Sequence, residues 1–156
     1  MGLTVTCLFC RIARGEVDAH TVYADDEIVA FLDIGPIRPG HVQIIPRTHI
    51  ETFEQLPEPT AARILALGQR IARAHKEVYG VDRVGFLFTG GDIPHAHAHV
   101  VPLHERTDIT SRRYICDDDL MFASLPRPPD AELRATANAL RVRLGASDPE
   151  PGDETV

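Results

Sequence analysis

At 156 residues and 44% hydrophobic content, the chain has the length of one compact domain and an apolar fraction ordinary for a water-soluble fold. Its formal charge of −7, from 16 basic and 23 acidic side chains, argues against nucleic-acid polymers and acidic membrane surfaces as partners, since both need a cationic face. No run approaches about 18 uncharged apolar residues, Met1–Cys10 lacks the basic start of a secretory signal, and Cys7, Cys10 and Cys116 do not form a disulfide framework, so a reducing, cytoplasmic setting is expected.

Two short β-prone runs, Val22–Ala24 and Ile28–Ile34, flank the acidic turn Asp25-Asp26-Glu27. The turn signals Gly35-Pro36 and Pro39-Gly40 lead into a third strand, His41–Ile45, closed by Pro46. The period then changes. From Thr60 to Tyr79, Ile64, Leu67, Ile71, Ala74 and Val78 share one helical face while Arg63, Arg70, Arg73 and Lys76 fall mostly off it; Thr60 reads as the N-cap and Gly80 as the stop. Arg83–Thr89 reads as a buried strand, Gly90-Gly91-Asp92 as a turn, and His95–Val101 as a strand ended by Pro102. The polar stretch through Arg113 carries no assignable period, and Pro126-Arg127-Pro128-Pro129 breaks the chain before an amphipathic helix, Asp130–Leu144, with Leu133, Ala137, Leu140 and Leu144 aligned. Strands, a long helix and further strands predict an α+β fold: an antiparallel sheet of about five strands, one long helix and a C-terminal helical extension. A single domain is expected over 1–145, with its core at about 7–103, an extension at 104–145 and a disordered tail at 146–156.

The densest chemistry lies in His95-Ala96-His97-Ala98-His99-Val100-Val101. In a strand, alternate side chains share a face, so three imidazoles would line one side about 6.5–7 Å apart, with alanine and valine on the other. One buried histidine is ordinarily a hydrogen-bonded structural residue. Three at strict period two are poor core material, because each ring must satisfy its nitrogens. Such a row serves either as a metal cluster or as a nucleophilic site in which one neutral imidazole attacks phosphorus. Gly90, Gly91 and the backbone around Asp92 offer N–H groups to phosphate oxygens. Cys7-x-x-Cys10 is a moderate metal signal, to be weighed against two buried thiols. His75 reads as a surface or interface residue, His20 and Cys116 as structural, and Glu105-Arg106-Thr107-Asp108 as a solvated loop.

His-Ala-His-Ala-His-Val-Val resembles the signature of the histidine triad superfamily, in which histidines alternate with hydrophobic residues. Cys7-Leu-Phe-Cys10, Phe31-Leu-Asp33-Ile34 and Pro39-Gly40-His41 through Pro46-Arg-Thr-His49 are similar to that family's other blocks, in its order, so the resemblance spans about Cys7 to Leu103. It implies a nucleotide hydrolase or transferase acting on a nucleoside phosphoramidate, a nucleotidyl adduct or a dinucleoside polyphosphate, with purines favoured. His97 would attack the α-phosphorus and carry the nucleotidyl group, His99 would contact the phosphate and the departing group, and His41 would lie close to His97 and orient it. Asp33 would take the ribose hydroxyls, Ile28, Phe31 and Ile34 the base, and Gly90, Gly91 and Asp92 the phosphate. The resemblance also selects His49 and His95 as partners of Cys7 and Cys10 in a structural zinc site, and implies a homodimer, for which the long helix is a candidate interface element. Two features depart from the family. Phe88-Thr89-Gly90-Gly91-Asp92-Ile93-Pro94 is short and lacks the usual asparagine and glutamine, and Asp92 stands where the family has a hydroxyl, with Arg112 or Arg113 as candidate compensating charge. The competing readings are a metallohydrolase using the histidine row and a non-catalytic nucleotide-binding module.

Overall fold

The computed structural model describes residues 7–91, 93–105, 108–109 and 126–145. A short helix α1 (Leu8–Ala13) precedes strands β1 (Thr21–Ala24), β2 (Ile28–Leu32) and β3 (Val42–Pro46). A 3₁₀ turn (Phe53–Gln55) leads to the long helix α2 (Glu58–Tyr79), followed by β4 (Arg83–Phe88), β5 (Ala98–Leu103) and α3 (Asp130–Leu144). The five strands form one antiparallel sheet in the order β1-β2-β3-β5-β4. None of the helices is long and apolar enough to cross a membrane, among the described residues.

The strand pleat divides the side chains into two cores. Val22, Ala30, Leu32, Val42, Ile44, Ala98 and Val100 face α2 and α3, where Ile64, Leu67, Ile71 and Ala74 of the one and Leu133, Ala137, Leu140 and Leu144 of the other close the main core. Val29, Phe31 and Ile45 face the other way and meet Phe9, Cys10 and Ala13 of α1. Both faces of β2 are therefore covered, which is why it is a continuous apolar run with all five residues buried. Polar contacts seat α3: Arg70 donates to the Leu144 carbonyl at 2.6 Å, Arg141 to the Thr21 carbonyl at 2.6 Å, and Arg143 pairs with Glu77 at 3.3 Å.

Several expected boundaries move. Helix α1 was not expected from its sequence; six residues are too few to show a helical period. Helix α2 starts before Thr60: Pro57 occupies the N-cap and Pro59 the first turn, where a missing N–H costs nothing. Strand β5 begins at Ala98 instead of His95, because the Ala96 N–H is drawn to the Ile50 carbonyl at 2.6 Å and pairing with β3 and β4 starts only at Ala98. It also runs through Pro102 to Leu103, since Pro102 lies beyond the last β3 pair and its missing donor costs no bond to that neighbour. Strand β4 is an edge strand and is only half-buried, not the buried strand its apolar run suggested.

Candidate functional site

Ala96, Ala98 and Val100 point into the main core, so His95, His97 and His99 share the opposite, α1-facing side even though only His99 lies within the ladder. Phe9 of α1 stands edge-on to His95 and His97, with ring centroids 6.0 and 5.2 Å away. The His97 and His99 rings are 4.9 Å apart.

The hydrogen bonds fix which nitrogen of each ring carries the proton. The Nδ1 of His97 lies 2.6 Å from the His95 carbonyl, which can only accept, so Nδ1–H donates and Nε2 keeps its lone pair. The Ile37 N–H donates to Nδ1 of His41 at 3.2 Å, which leaves His41 Nε2–H to donate to Nδ1 of His99 at 2.9 Å. Nε2–H of His99 then donates to Thr89 Oγ1 at 3.2 Å. A backbone amide thus sets the tautomers of a three-member relay. Burial pushes His41 down to about 4, despite the opposing pull of Asp33, and burial followed by the neighbouring His97 also lowers His99. Both rings are neutral at pH 7. His41 was expected against His97; its bond goes to His99, and His97 is held by the His95 carbonyl and Phe9.

Asp33 follows β2 on the same face. Its Oδ1 accepts from the Gly35 N–H at 2.8 Å, and its Oδ2 accepts from Gln43 Nε2 at 2.6 Å and lies 3.7 Å from His41 Nδ1. Gln43 is opposite His99 in the β3–β5 register, so this carboxylate stands beside the histidine row. A cavity of about 650 Å³ opens here. Phe9 and Ile12 of α1, Phe31, Ile34 and Ile93 supply apolar surface, Asp33 and Gln43 a polar floor, and Arg127, Asp130 and Arg134 a charged far wall. Its size and mixed lining suit a small organic ligand. Ile28, expected at the base, is buried in the main core instead, because its parity is that of Ala30. Gly90 and Gly91 have φ of 63° and 141°, are exposed, and follow β4 directly, a backbone bend that only glycine adopts freely. Asp92, Arg112, Arg113, Cys116 and the tail 146–156 lie outside the described residues.

A second group of donors lies under the histidine row. The ligand atoms of Cys7, Cys10, His49 and His95 are all within 4.8 Å of one another. Cys10 Sγ is 3.2 Å from His49 Nδ1, and His95 Nδ1 is 3.5 Å from each sulfur. With metal–sulfur and metal–nitrogen lengths of roughly 2.3 and 2.0–2.1 Å, the S···N edge of a tetrahedron is about 3.6 Å, so the residues fit a four-coordinate thiophilic ion such as zinc. The Nε2–H of His95 donates to the Pro46 carbonyl at 2.9 Å, which turns the Nδ1 lone pair to the sulfurs, as metal-ligating histidines require.

Three other readings are corrected. His75 is fully buried because it continues the stripe Ile64, Gly68, Ile71 rather than the exposed face. His20 is not isolated: it stands 3.7 Å from Asp130. Asp108 is nearly buried and grips Arg38 at 2.6 and 2.9 Å while accepting the His104 and Glu105 N–H groups, tying the post-triad chain to the loop before His41. Residue-level reading missed Phe9, Thr89 and Gln43; only Gln43 carried a signal, its period-two spacing from His41.

The HIT domain family model matches residues 14–106. An uncharacterised HIT-like protein of Mycobacterium tuberculosis is 31% identical over 147 residues, covering 91% of this chain and 95% of that one. The adenylylsulfatase HINT3 of Arabidopsis thaliana is 34% identical over 105 residues, 64% of this chain and 53% of that protein. Among solved structures, a zinc-bound histidine triad family protein from Mycobacterium smegmatis superposes with a TM-score of 0.70 at 32% identity, over 90% of this chain and 94% of that one.

Proposed function

The chain belongs to the HIT domain family of nucleotide-binding hydrolases and transferases, and on that premise we propose that it cleaves a nucleotide at its α-phosphorus through a nucleotidyl-histidine intermediate on His97. The observation that carries the reading is the His97 tautomer: Nδ1–H is committed to the His95 carbonyl, and Nε2 is left as a lone pair on a ring that Phe9, part of the cavity lining, meets edge-on. The Nε2 pair forms the N–P bond as the P–O or P–N bond to the leaving group breaks, and the leaving group departs with the proton of His99 Nε2–H, which the attacking water later returns to His99. The positive charge that develops on the ring is shared with the His95 carbonyl through the existing bond. Water then attacks phosphorus, the N–P bond breaks, and His97 returns to its starting form with release of a nucleoside monophosphate.

The other groups take roles that their positions support. His99 Nε2–H turns from Thr89 to a phosphate oxygen or the leaving group, and His41 holds its tautomer. Asp33 accepts the ribose hydroxyls, Ile34 and Phe31 flank the base, and the Gly90-Gly91 backbone, continuing to Asp92, receives the phosphate. A purine nucleotide suits the apolar depth of the cavity. Cys7, Cys10, His49 and His95 would hold a structural zinc ion, which when bound cross-links the α1 segment to the strand end and chain before His97. A homodimer is supported by the edge strand β4, whose Phe86 is exposed and whose Phe88 meets the exposed Phe53 of the 3₁₀ turn. Paired thiols as metal ligands suit a reducing, cytoplasmic compartment.

A second reading has one observation in its favour: ligand atoms of Asp33, His41 and His99 also lie within 4.8 Å of one another, as a catalytic metal would need. Against it, both nitrogens of His41 are engaged, by the Ile37 N–H and by His99. Turnover of nucleoside 5′-phosphoramidates separates the readings. His97→Asn is expected to lose roughly 10³-fold or more in kcat with its fold intact, whereas a loss confined to chelator treatment of folded protein would favour the metal-centred reading.

A further inference from the structure

The cavity beside the histidine row is longer than a phosphate and sugar require. It runs from Gln43 on β3, next to His99, across Phe31 of β2 and Asp33 just after it to Asp18, Ala19 and His20, which lead into β1. From β5 to β1 is three strand spacings, roughly 14 Å, a span suited to a nucleoside monophosphate laid across the sheet. With phosphorus at His97 and ribose at Asp33, the base lies at the β1 end, where the wall is charged and comes from α3.

Two groups on that wall have unused capacity. Asp130 and Arg134 are one helical turn apart on the same face of α3. Arg127 donates to Oδ1 of Asp130 at 2.9 Å and His20 approaches the same oxygen at 3.7 Å, which leaves Oδ2 unpartnered among the described residues. Arg134 makes no ion pair within 4 Å among them either, although it lines the cavity and its charge reaches Asp130, helping Arg127 to lower that carboxyl. A donor fork and a carboxylate oxygen thus stand side by side at the outer edge of the base.

Resting on the proposed nucleotide reading, we infer that Asp130 and Arg134 read the Watson–Crick edge of the base and select guanine nucleotides. Guanine offers the O6 acceptor to the guanidinium, N1–H to Asp130 Oδ2 and N2–H to the second lone pair of Oδ1, three bonds in all. In the same pose adenine turns its N6 amino donor to the guanidinium and its N1 acceptor to the carboxylate, so neither bond forms. Hypoxanthine has O6 and N1–H but no amino group and ranks between them. The two groups act as specificity determinants and take no part in bond breaking.

The test compares guanosine, inosine and adenosine 5′-phosphoramidates carrying one leaving group. The expected order of kcat/KM is guanosine, inosine, adenosine, with about tenfold between the extremes and most of the difference in KM. Arg134→Gln and Asp130→Asn should each collapse the guanosine-to-adenosine ratio toward one by raising the guanosine KM. Because Asp130 opens α3, binding of GMP and AMP to His97→Asn, alone and combined with Arg134→Gln, supplies a readout independent of turnover and of that helix start. Turnover with no guanosine preference, or a preference that survives both substitutions, overturns this inference alone. Absence of turnover and of nucleotide binding for all three bases overturns the underlying functional reading as well.

Discussion

Each imidazole in the row is turned differently because a different group holds it. His95 donates to Pro46, which aims its Nδ1 at two sulfurs; His97 donates to His95, which frees its Nε2; His99 accepts from His41, which makes it a donor on its outer nitrogen. Period-two spacing made the row itself legible in the sequence. The tautomers were not, since they depend on carbonyls and amides from Pro46 and Ile37 that only the fold brings near. Thr89 illustrates the point: it stands ten residues before His99 and accepts from it only because β4 and β5 pair. Thr89→Val is expected to remove that resting acceptor and, because His99 Nε2–H leaves Thr89 for the phosphate during turnover, to lower KM by up to about five-fold, as for one hydrogen bond worth about 1 kcal/mol, with little change in kcat or Tm. Paired kinetic and thermal measurements on the variant check both halves.

At the scale of elements, the loop between β2 and β3 deserves its own test because it delivers Asp33, Ile37 and His41 together. Its Gly40 has φ +91°, and a Cβ there would come within 2.5–2.7 Å of the Tyr79 ring on α2. Gly40→Ala is expected to cost about 1–2 kcal/mol from the backbone alone, several degrees in Tm, and to lower kcat because His41 moves with the loop. The turn itself was readable from Pro39-Gly40. That α2 closes over it was not, and the same packing hides His75, whose place on the Ile64, Gly68, Ile71 stripe was visible but whose polarity argued for the surface. Burial lowers His75 to about 4 from its ordinary 6.5, with the Gly40 backbone only partly opposing. The unfolded chain therefore binds this proton first as pH falls, so stability rises with pH across the window from 4 to 6.5 and is lost on the acid side. Replacing His75 with Phe should flatten that dependence by up to roughly 3 kcal/mol at pH 4, measured by denaturant unfolding across the range.

For the whole molecule, the order of strands and helix was legible, and with it the α+β class, because hydrophobic period changes cleanly between segments. The seating of α3 was not. Its four aligned apolar residues state that it packs but not where, and the contacts Arg70–Leu144, Arg141–Thr21 and Arg143–Glu77 place it over β1 and α2, with its first turns reaching the cavity. The exposed β4 edge was hidden for a related reason, since an apolar strand buried inside one chain and one awaiting a second copy read alike. Sedimentation should therefore give a dimer, and Phe86→Glu should shift it toward monomer. With zinc bound, the Cys7–Cys10–His49–His95 group would act at the same scale by joining α1 to the approach to β5. Freshly purified protein is expected to contain about one zinc per chain, and its removal should lower Tm by roughly 10 °C or more; metal-free protein with an unchanged Tm would rule out that role.

The central claim is most directly tested by alkaline rapid quench of the protein during turnover of a guanosine 5′-phosphoramidate, followed by peptide mass analysis. The account predicts one nucleoside monophosphate on the peptide containing His97, absent from His97→Asn. A covalent nucleotide on any other residue, or steady turnover with no adduct and inversion of configuration at phosphorus, would contradict it.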